Sequence, residues 1–366
     1  MPLGSAAHRA LRLDFGQTPW ATDLDISMLQ RRSLLALLGF ILGVGACDSS
    51  GPTADLGRLP DTTTTDTTPP PPPPDTTIPP PVDTVPPGPP PDTTGPDLPP
   101  YDPTFVGIPF GPAQQPPETF GPPFNGTILP GTPEKLVADL EKARRADTRV
   151  LVNLTGRETN IRDANGFSMT LWKQRVDRYR HLNLDRYIDE GTLIGHFLMD
   201  EPSDPHNWNG HQVSHEQIDE MARYSKEIWP KLPAIIRAWP DYLQGYQYKY
   251  LDAVRVHYLT RLGDIDEFIH EMVQGAAGLN LALIGGLNVM NGGGKDSGIP
   301  GRKEGKFGMS AAEVREFGAK FLSEPSLCAF FMYDYDPPYF SRPDITAAVA
   351  ELKEKALQYP KKACRK

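Results

Sequence analysis

Residues 193–202 read LIGHFLMDEP. An apolar run of this kind makes a buried strand, and it stops abruptly at Asp200, Glu201 and Pro202. Working outward in both directions, the same texture recurs. The runs are FVGIPF (105–110), RVLVNL (149–154), TLIGHFLM (192–199), AIIRAW (234–239), DAVRVHYL (252–259), NLALIGGLNVM (280–290) and CAFFMYDY (328–335). Helix-start signals lie between them. Thr132-Pro133 opens TPEKLVADLEKARR with proline at the first helical position. SHEQ (214–217) and SAAE (310–313) fit the capping box, in which Ser caps a backbone N–H and Gln or Glu reaches back.

Strands alternating with helices imply βαβ units, a parallel sheet and right-handed crossovers. Seven runs are visible and closure needs eight. The stretch 111–148 has room for one more, around NGTIL (125–129). The expected fold is therefore α/β, a (β/α)8 barrel of the TIM type. A seven-stranded or irregular barrel is the nearest competitor. An open doubly wound sheet is disfavoured, because no Gly-rich phosphate loop follows the first strand. GGLNVMNGGG (285–294) comes late, lacks the GxGxxG spacing, and reads as a loop over the active face.

The rest of the chain is organised around this domain. Of the 366 residues 41 are proline, and 20 of these fall in residues 48–104, where TTTTDTTPPPPPPDTTIPPPVDTVPPGPPPDTT offers almost no side chain for a core. That composition predicts an extended, hydrated, disordered spacer. Residues 105–366 are left as one large folded domain. Upstream, MLQRRSLLALLGFILGVGACDSS (28–50) has a charged start, an apolar run from Leu34 to Val44, and small residues before Cys47. This is the layout of an export signal, too short to span a bilayer comfortably. Val44-Gly45-Ala46-Cys47 resembles the bacterial lipobox, which implies lipidation of Cys47 and a mature protein held on a membrane, periplasmic or at the cell surface. An ordinary signal peptide containing a cysteine is the alternative. Arg31-Arg32 only loosely resembles a twin-arginine signal. Residues 1–27 have no targeting logic, which places the start at Met28.

In an oxidising compartment the two remaining cysteines, Cys328 and Cys364, suggest a disulfide pinning the C-terminal tail. The alternative is two unrelated thiols, Cys328 being a small buried hydrophobe. The net charge of −9, without a basic stripe, argues against nucleic acid as a partner.

In barrels of this type chemistry sits where strands run into the following loops. Those positions hold Asn153 and Arg157; Asp200 and Glu201; Arg237, Trp239 and Asp241; His257 and Tyr258; Asn288 and Asn291; and Tyr333, Asp334, Tyr335 and Asp336. Carboxylates and amides bind hydroxyls, and aromatic rings cover the apolar faces of sugars, so this set suits a carbohydrate. Each residue also has a structural reading. Asp-Glu-Pro serves equally as a polar turn, Arg237 as the partner of a carboxylate, and His257 as a satisfied core histidine. Of Asp334 and Asp336, at most one is chemical. HNWNGHQVSH (206–215) reads as a substrate-facing loop with Trp208 as a stacking platform. His206, His211 and His215 lack the spacing of a zinc pattern, and neither metal nor cofactor is expected.

Met-Asp-Glu-Pro (199–202) resembles the Asn-Glu-Pro that ends the fourth strand of TIM-barrel glycoside hydrolases in the large retaining superfamily. The resemblance covers the barrel pattern over most of residues 105–360, although the motif is short. It implies that Glu201 is the general acid and that the aromatic residues of CAFFMYDY floor the sugar site. Asp200 replaces the usual Asn. The departure is on the seventh strand, where that family carries its nucleophilic Glu and this chain offers Asn288 and Asn291. Either Asp200, Asp334 or Asp336 supplies the second carboxylate, the last two at the wider spacing of an inverting mechanism, or the domain binds glycans without cleaving them. The expectation is an exported, lipid-anchored glycoside hydrolase, with a non-catalytic glycan- or cell-wall-binding surface protein as the alternative.

Overall fold

The computed structural model describes residues 104–365. Eight parallel strands stand in one sheet: β1 (Phe110–Pro112), β2 (Gly126–Pro130), β3 (Arg149–Asn153), β4 (Leu193–Asp200), β5 (Ala234–Arg237), β6 (Ala253–Arg255), β7 (Ala282–Leu287) and β8 (Leu327–Met332). Each pairs with its neighbour in chain order from β2 to β8, and β8 pairs back onto β1. The β1–β2 seam has no ladder, but Asn125 N–H donates to Phe110 O (3.0 Å) and Gln114 N–H to Ile128 O (2.8 Å). Thr127 Oγ1 adds a bond to Pro112 O at 2.8 Å. The barrel is thus nearly closed, as a TIM-type fold, with MDEP ending strand four.

NGTIL supplies the eighth strand, β2, as expected. FVGIPF does not form a strand over 105–110; pairing begins only at Phe110. Pro109 has no N–H for a ladder, and the preceding segment is held elsewhere. Ile108 N–H donates to Ala356 O (3.1 Å), and Arg149 donates to the carbonyls of Gly107 and Val106.

The helices are α1 (Leu136–Arg145), α2 (Met169–Asp177), α3 (Asp185–Glu190), α4 (His215–Ile228), α5 (Pro240–Leu243), α6 (Ile265–Gly278), α7 (Ala311–Phe321), α8 (Pro337–Phe340) and α9 (Pro343–Leu357). Both capping boxes form, Ser214 with Gln217 on α4 and Ser310 with Glu313 on α7. At α1 the expected start is early. Pro133 lies in a turn, with Lys135 and Leu136 N–H both donating to Thr132 O, and the helix begins at Leu136. The barrel is irregular where helices are short: only a 3-10 turn follows β1, and only the single turn α5 follows β5.

Strands buried on both faces read as continuous apolar runs, and every residue of β3, β5 and β8 is buried. Their two faces feed two cores. Val150, Val152, Ala234, Ile236, Phe330 and Met332 pack with the helices. Ile128, Leu151, Phe197, Ile235, Ala253, Ile284, Ala329 and Phe331 fill the interior. Gly195 on β4 leaves room inside, since a Cβ there would stand 2.4 Å from Ile235 Cδ1. The Cys328–Cys364 disulfide forms as expected, with Cα atoms 5.2 Å apart.

Candidate active site

Three strands bring a charged network up to the mouth. Asp200 ends β4 directly opposite Arg237 at the end of β5. Successive strand side chains point to opposite faces, so Glu201 would turn away if the strand continued. It does not continue. Glu201 adopts φ +44°, the left-handed region rarely used by residues with a side chain, while its N–H donates to Arg237 O (3.1 Å). This strain, on the order of 1 kcal/mol or more, turns both acids toward one partner. Arg237 Nη1 lies 2.8 Å from Asp200 Oδ1 and 2.6 Å from Glu201 Oε1. Asn207 Nδ2 donates to Glu201 Oε2 at 3.4 Å.

Arg237 Nη2 donates to His257 Nε2 at 2.8 Å, which makes that nitrogen the acceptor and the ring neutral. Burial, then the charges of Arg237 and Arg255, hold His257 well below its usual pKa. For Arg237 itself burial works against the charge, and Asp200 and Glu201 more than offset it, so its pKa is raised. Beneath lies Arg255, in phase with Ala253 and His257 along β6. It is buried with Nε and Nη2 unpartnered, and burial, then Arg237, bring it down to about 10.

Burial pushes Glu201 up to about 7, against the pull of Arg237 and with added push from Asp200. A third carboxyl joins from the loop after β3. Glu158 opens a 3-10 turn (Glu158–Asn160) and is pushed up to about 8, by burial first and the charge of Asp200 second. Asn153 shapes that loop: its Oδ1 accepts from the N–H of Thr155 (3.1 Å) and of Gly156 (2.9 Å). One arginine therefore pairs with two carboxyls, within electrostatic reach of a third, and burial raises the pKa of both glutamates.

Trp239 and His257 join Glu201 and Arg237 around a residual cavity of about 10 Å³, room for about one water. Tyr333 completes this side, its ring 6.3 Å from His257, with a pKa raised by burial and then by Asp334.

The other expected acids form a separate group. Arg302, from the loop after β7, pairs with Asp334 and reaches Asp336 Oδ2 at 3.2 Å. Asp336 Oδ1 also caps α8 by accepting from Tyr339 N–H (2.9 Å). Asn288, at the end of β7, accepts from Asn291 N–H (3.0 Å), and Asn291 accepts from Lys303 N–H (2.9 Å). Both amides brace the loop that follows.

Several expected ligand residues are placed elsewhere. Trp208 is not a stacking platform: it is fully buried, edge-on to Phe167, and its Nε1 donates to Glu201 O at 2.9 Å. Tyr258 is one position out of phase with His257, so it faces the helices, packs on Phe268 and Phe317, and donates to Gly263 O. Asn153 acts through the Glu158 loop, and Arg157 stays exposed on it. His206 pairs with Asp204, and His215 meets Tyr242 O at 2.8 Å. Among the described residues no group of three or more His, Cys, Asp or Glu could hold a metal ion. Cys47 lies outside the described residues.

Sequence reading missed Glu158, Arg255 and Arg302. Arg255 had a signal, the alternation Ala253-Arg255-His257. The two loop residues had none.

No family model matches the chain, and no curated protein matches it. Among solved structures it is similar to an endocellulase from Pyrococcus horikoshii in complex with cellotetraose (TM-score 0.47, 9% identity, 69% of this chain and 93% of that one). It is similar also to a beta-glucuronidase from an uncultured Clostridium sp. (0.43, 10%, 63% and 44%). A third is the catalytic domain of the major endoglucanase from Xanthomonas campestris pv. campestris (0.43, 11%, 64% and 84%). At these identities and scores the likenesses say nothing about chemistry; the barrel stands on its own strand order and register.

Proposed function

We propose that the domain is a glycoside hydrolase acting on an oligo- or polysaccharide. The observation that supports this best is the three-carboxyl cluster at the end of β4. Burial brings Glu201 up to about 7 there, beside Asp200, whose Oδ1 lies 2.8 Å from Arg237 Nη1. Glu201 protonates the glycosidic oxygen as its bond to the anomeric carbon breaks, and a water then adds to that carbon and returns a proton to the Glu201 carboxylate. Asp200 supplies fixed negative charge toward the cationic sugar that develops, and Glu158 lies close enough to feel that charge. A raised carboxyl beside an arginine-paired one suits the acid–base cleavage of an acetal. Trp239 and Tyr333 offer ring surface beside it.

One observation favours glycan binding without cleavage: β7 ends in amides, and both aspartates after β8 are engaged by Arg302. A glycan-library screen on the whole protein decides. Reducing ends released by the wild type establish the hydrolase, whereas retention of a glycan that is never cut establishes the binder.

We propose further that the chain is exported and lipid-anchored through Cys47. The leader reading supports this, as does the pairing of the other two cysteines, which suits an oxidising compartment. Cys47→Ala should then lose the acyl mass and leave the membrane fraction; wild-type protein without that mass refutes the anchor.

A further inference from the structure

The opposite end of the barrel holds a second concentration of charge, which the proposed hydrolase does not use. β3 begins there with Arg149, in phase with the interior residue Leu151. Arg149 is 2% exposed. Its Nη1 donates to Gly107 O (2.8 Å) and its Nη2 to Val106 O (3.1 Å), and the Phe105 ring lies 5.5 Å from Cζ. Its Nε is buried and donates to nothing. No carboxylate pairs with it among the described residues. Burial alone brings its pKa down to about 10, and burial followed by Arg149 brings Lys353 of α9 down to about 8.

A cavity of about 300 Å³ opens beside Arg149. Its cations are Arg149, Lys231, Lys361, Lys362 and Arg365, against one acid, Asp189. That acid is already bound by Lys231 Nζ at 2.7 and 3.0 Å. Lys362 turns to Ser326 O (2.9 Å); Lys361 and Arg365 are exposed along the lining, Lys361 Nζ 5.8 Å from the centre of the Phe105 ring, and neither has a carboxylate partner among the described residues. Both sit on the tail that the Cys328–Cys364 disulfide holds over the cavity, and both cysteines line it.

A buried guanidinium with a spare N–H and no counter-ion costs stability unless an anion completes it. Five cations against one engaged acid leave a surplus that a single carboxylate would not match. Phosphate offers several strong acceptor oxygens and up to two charges. We infer that this cavity binds a phosphate-type oxyanion, either a free phosphate ester or the phosphate of a lipid headgroup. Arg149 forms its floor, and Lys361 and Arg365 form its rim.

The test uses the full chain carrying Cys47→Ala, so that no acyl group contributes. Inorganic phosphate is titrated by calorimetry. Separately, the protein is sedimented with phosphatidylglycerol/phosphatidylcholine vesicles and with phosphatidylcholine alone. The rim variant Lys361→Glu/Arg365→Glu leaves Arg149 and its carbonyl partners intact, and its melting curve checks the fold. Phosphate binding that weakens about tenfold or more in the rim variant supports the site. Retention on phosphatidylglycerol vesicles, displaced by phosphate and lost in the rim variant, identifies the headgroup. Phosphate binding without retention identifies the free ester. Absence of both, or binding untouched by the rim substitutions, overturns the proposal.

Discussion

Arg237 and Arg302 each hold two carboxylates at the mouth of one barrel, and they do so in different surroundings. Arg237 rises from β5 with its side chain 10% exposed, whereas Arg302 hangs from a loop at 35%. Arg237 serves Asp200 and Glu201 and feels a third acid, Glu158, so its group carries more acid than base. Arg302 has two acids, one of which already caps a helix. Burial raises Asp334 too, against Arg302. The contrast teaches that an arginine beside an acid does not by itself make a site. What matters is whether burial and a surplus of carboxyls leave a proton that can move near neutral pH, and the Arg237 group has more carboxyls and the deeper burial.

The sharpest way to break this comparison is to measure both groups by turnover. Glu201→Gln keeps shape but removes the transferable proton, so kcat should fall by roughly 10²–10⁴ with KM little changed. Asp334→Asn should stay within a few-fold. Glu158→Gln should fall between them, because it removes a second titrating carboxyl from the same cluster. Substrates whose leaving group needs no protonation should rescue Glu201→Gln. Rescue of Glu158→Gln instead would move the donor role to Glu158, and a large loss in Asp334→Asn would reverse the ranking of the two clusters.

Stability should separate the same arginines by a smaller margin. Arg237→Met strands two buried carboxylates, a loss of about 3–5 kcal/mol for a broken buried pair. Arg302→Met also strands the buried Asp334, but Arg302 is itself 35% exposed and water can replace it in part, so the loss should be smaller, about 1–3 kcal/mol. Equal shifts in urea midpoint would show that exposure does not distinguish them.

These clusters also show how far the residues could be read in advance. Strands buried on both faces announce themselves as apolar runs, so the barrel and the place of Asp200-Glu201 on strand four were legible. The eighth strand was legible only as a gap, because Gly126 and Pro130 dilute its pattern. Phase along a strand would have set Tyr258 outward and Arg255 inward; treating every strand-end residue as a site residue ignored it. Trp208 looked like a platform because an aromatic among polar residues looks exposed, yet its N–H needed a buried carbonyl and found that of Glu201. Glu158 and Arg302 come from loops whose paths are set by contacts distant in sequence, such as Asn153 with Gly156. No local pattern carries that information.

The smallest effect tests the same surplus through pH. Glu158 and Glu201 have folded pKa values of about 8 and about 7, above the ordinary 4.5 of a glutamate. Between about pH 4.5 and 8 the folded state therefore holds more protons than the unfolded chain, and stability falls as pH rises through that window. The unfolding midpoint should decline across it and level off above about pH 8. Glu158→Gln removes one titrating carboxyl and should flatten the upper part of the decline, and Glu201→Gln the part below it. Asp334→Asn should alter the curve less, since Arg302 opposes its shift. A midpoint that rises over this range would mean that both carboxyls are ionised in the fold. The proton that the Arg237 cluster is proposed to transfer would then be missing.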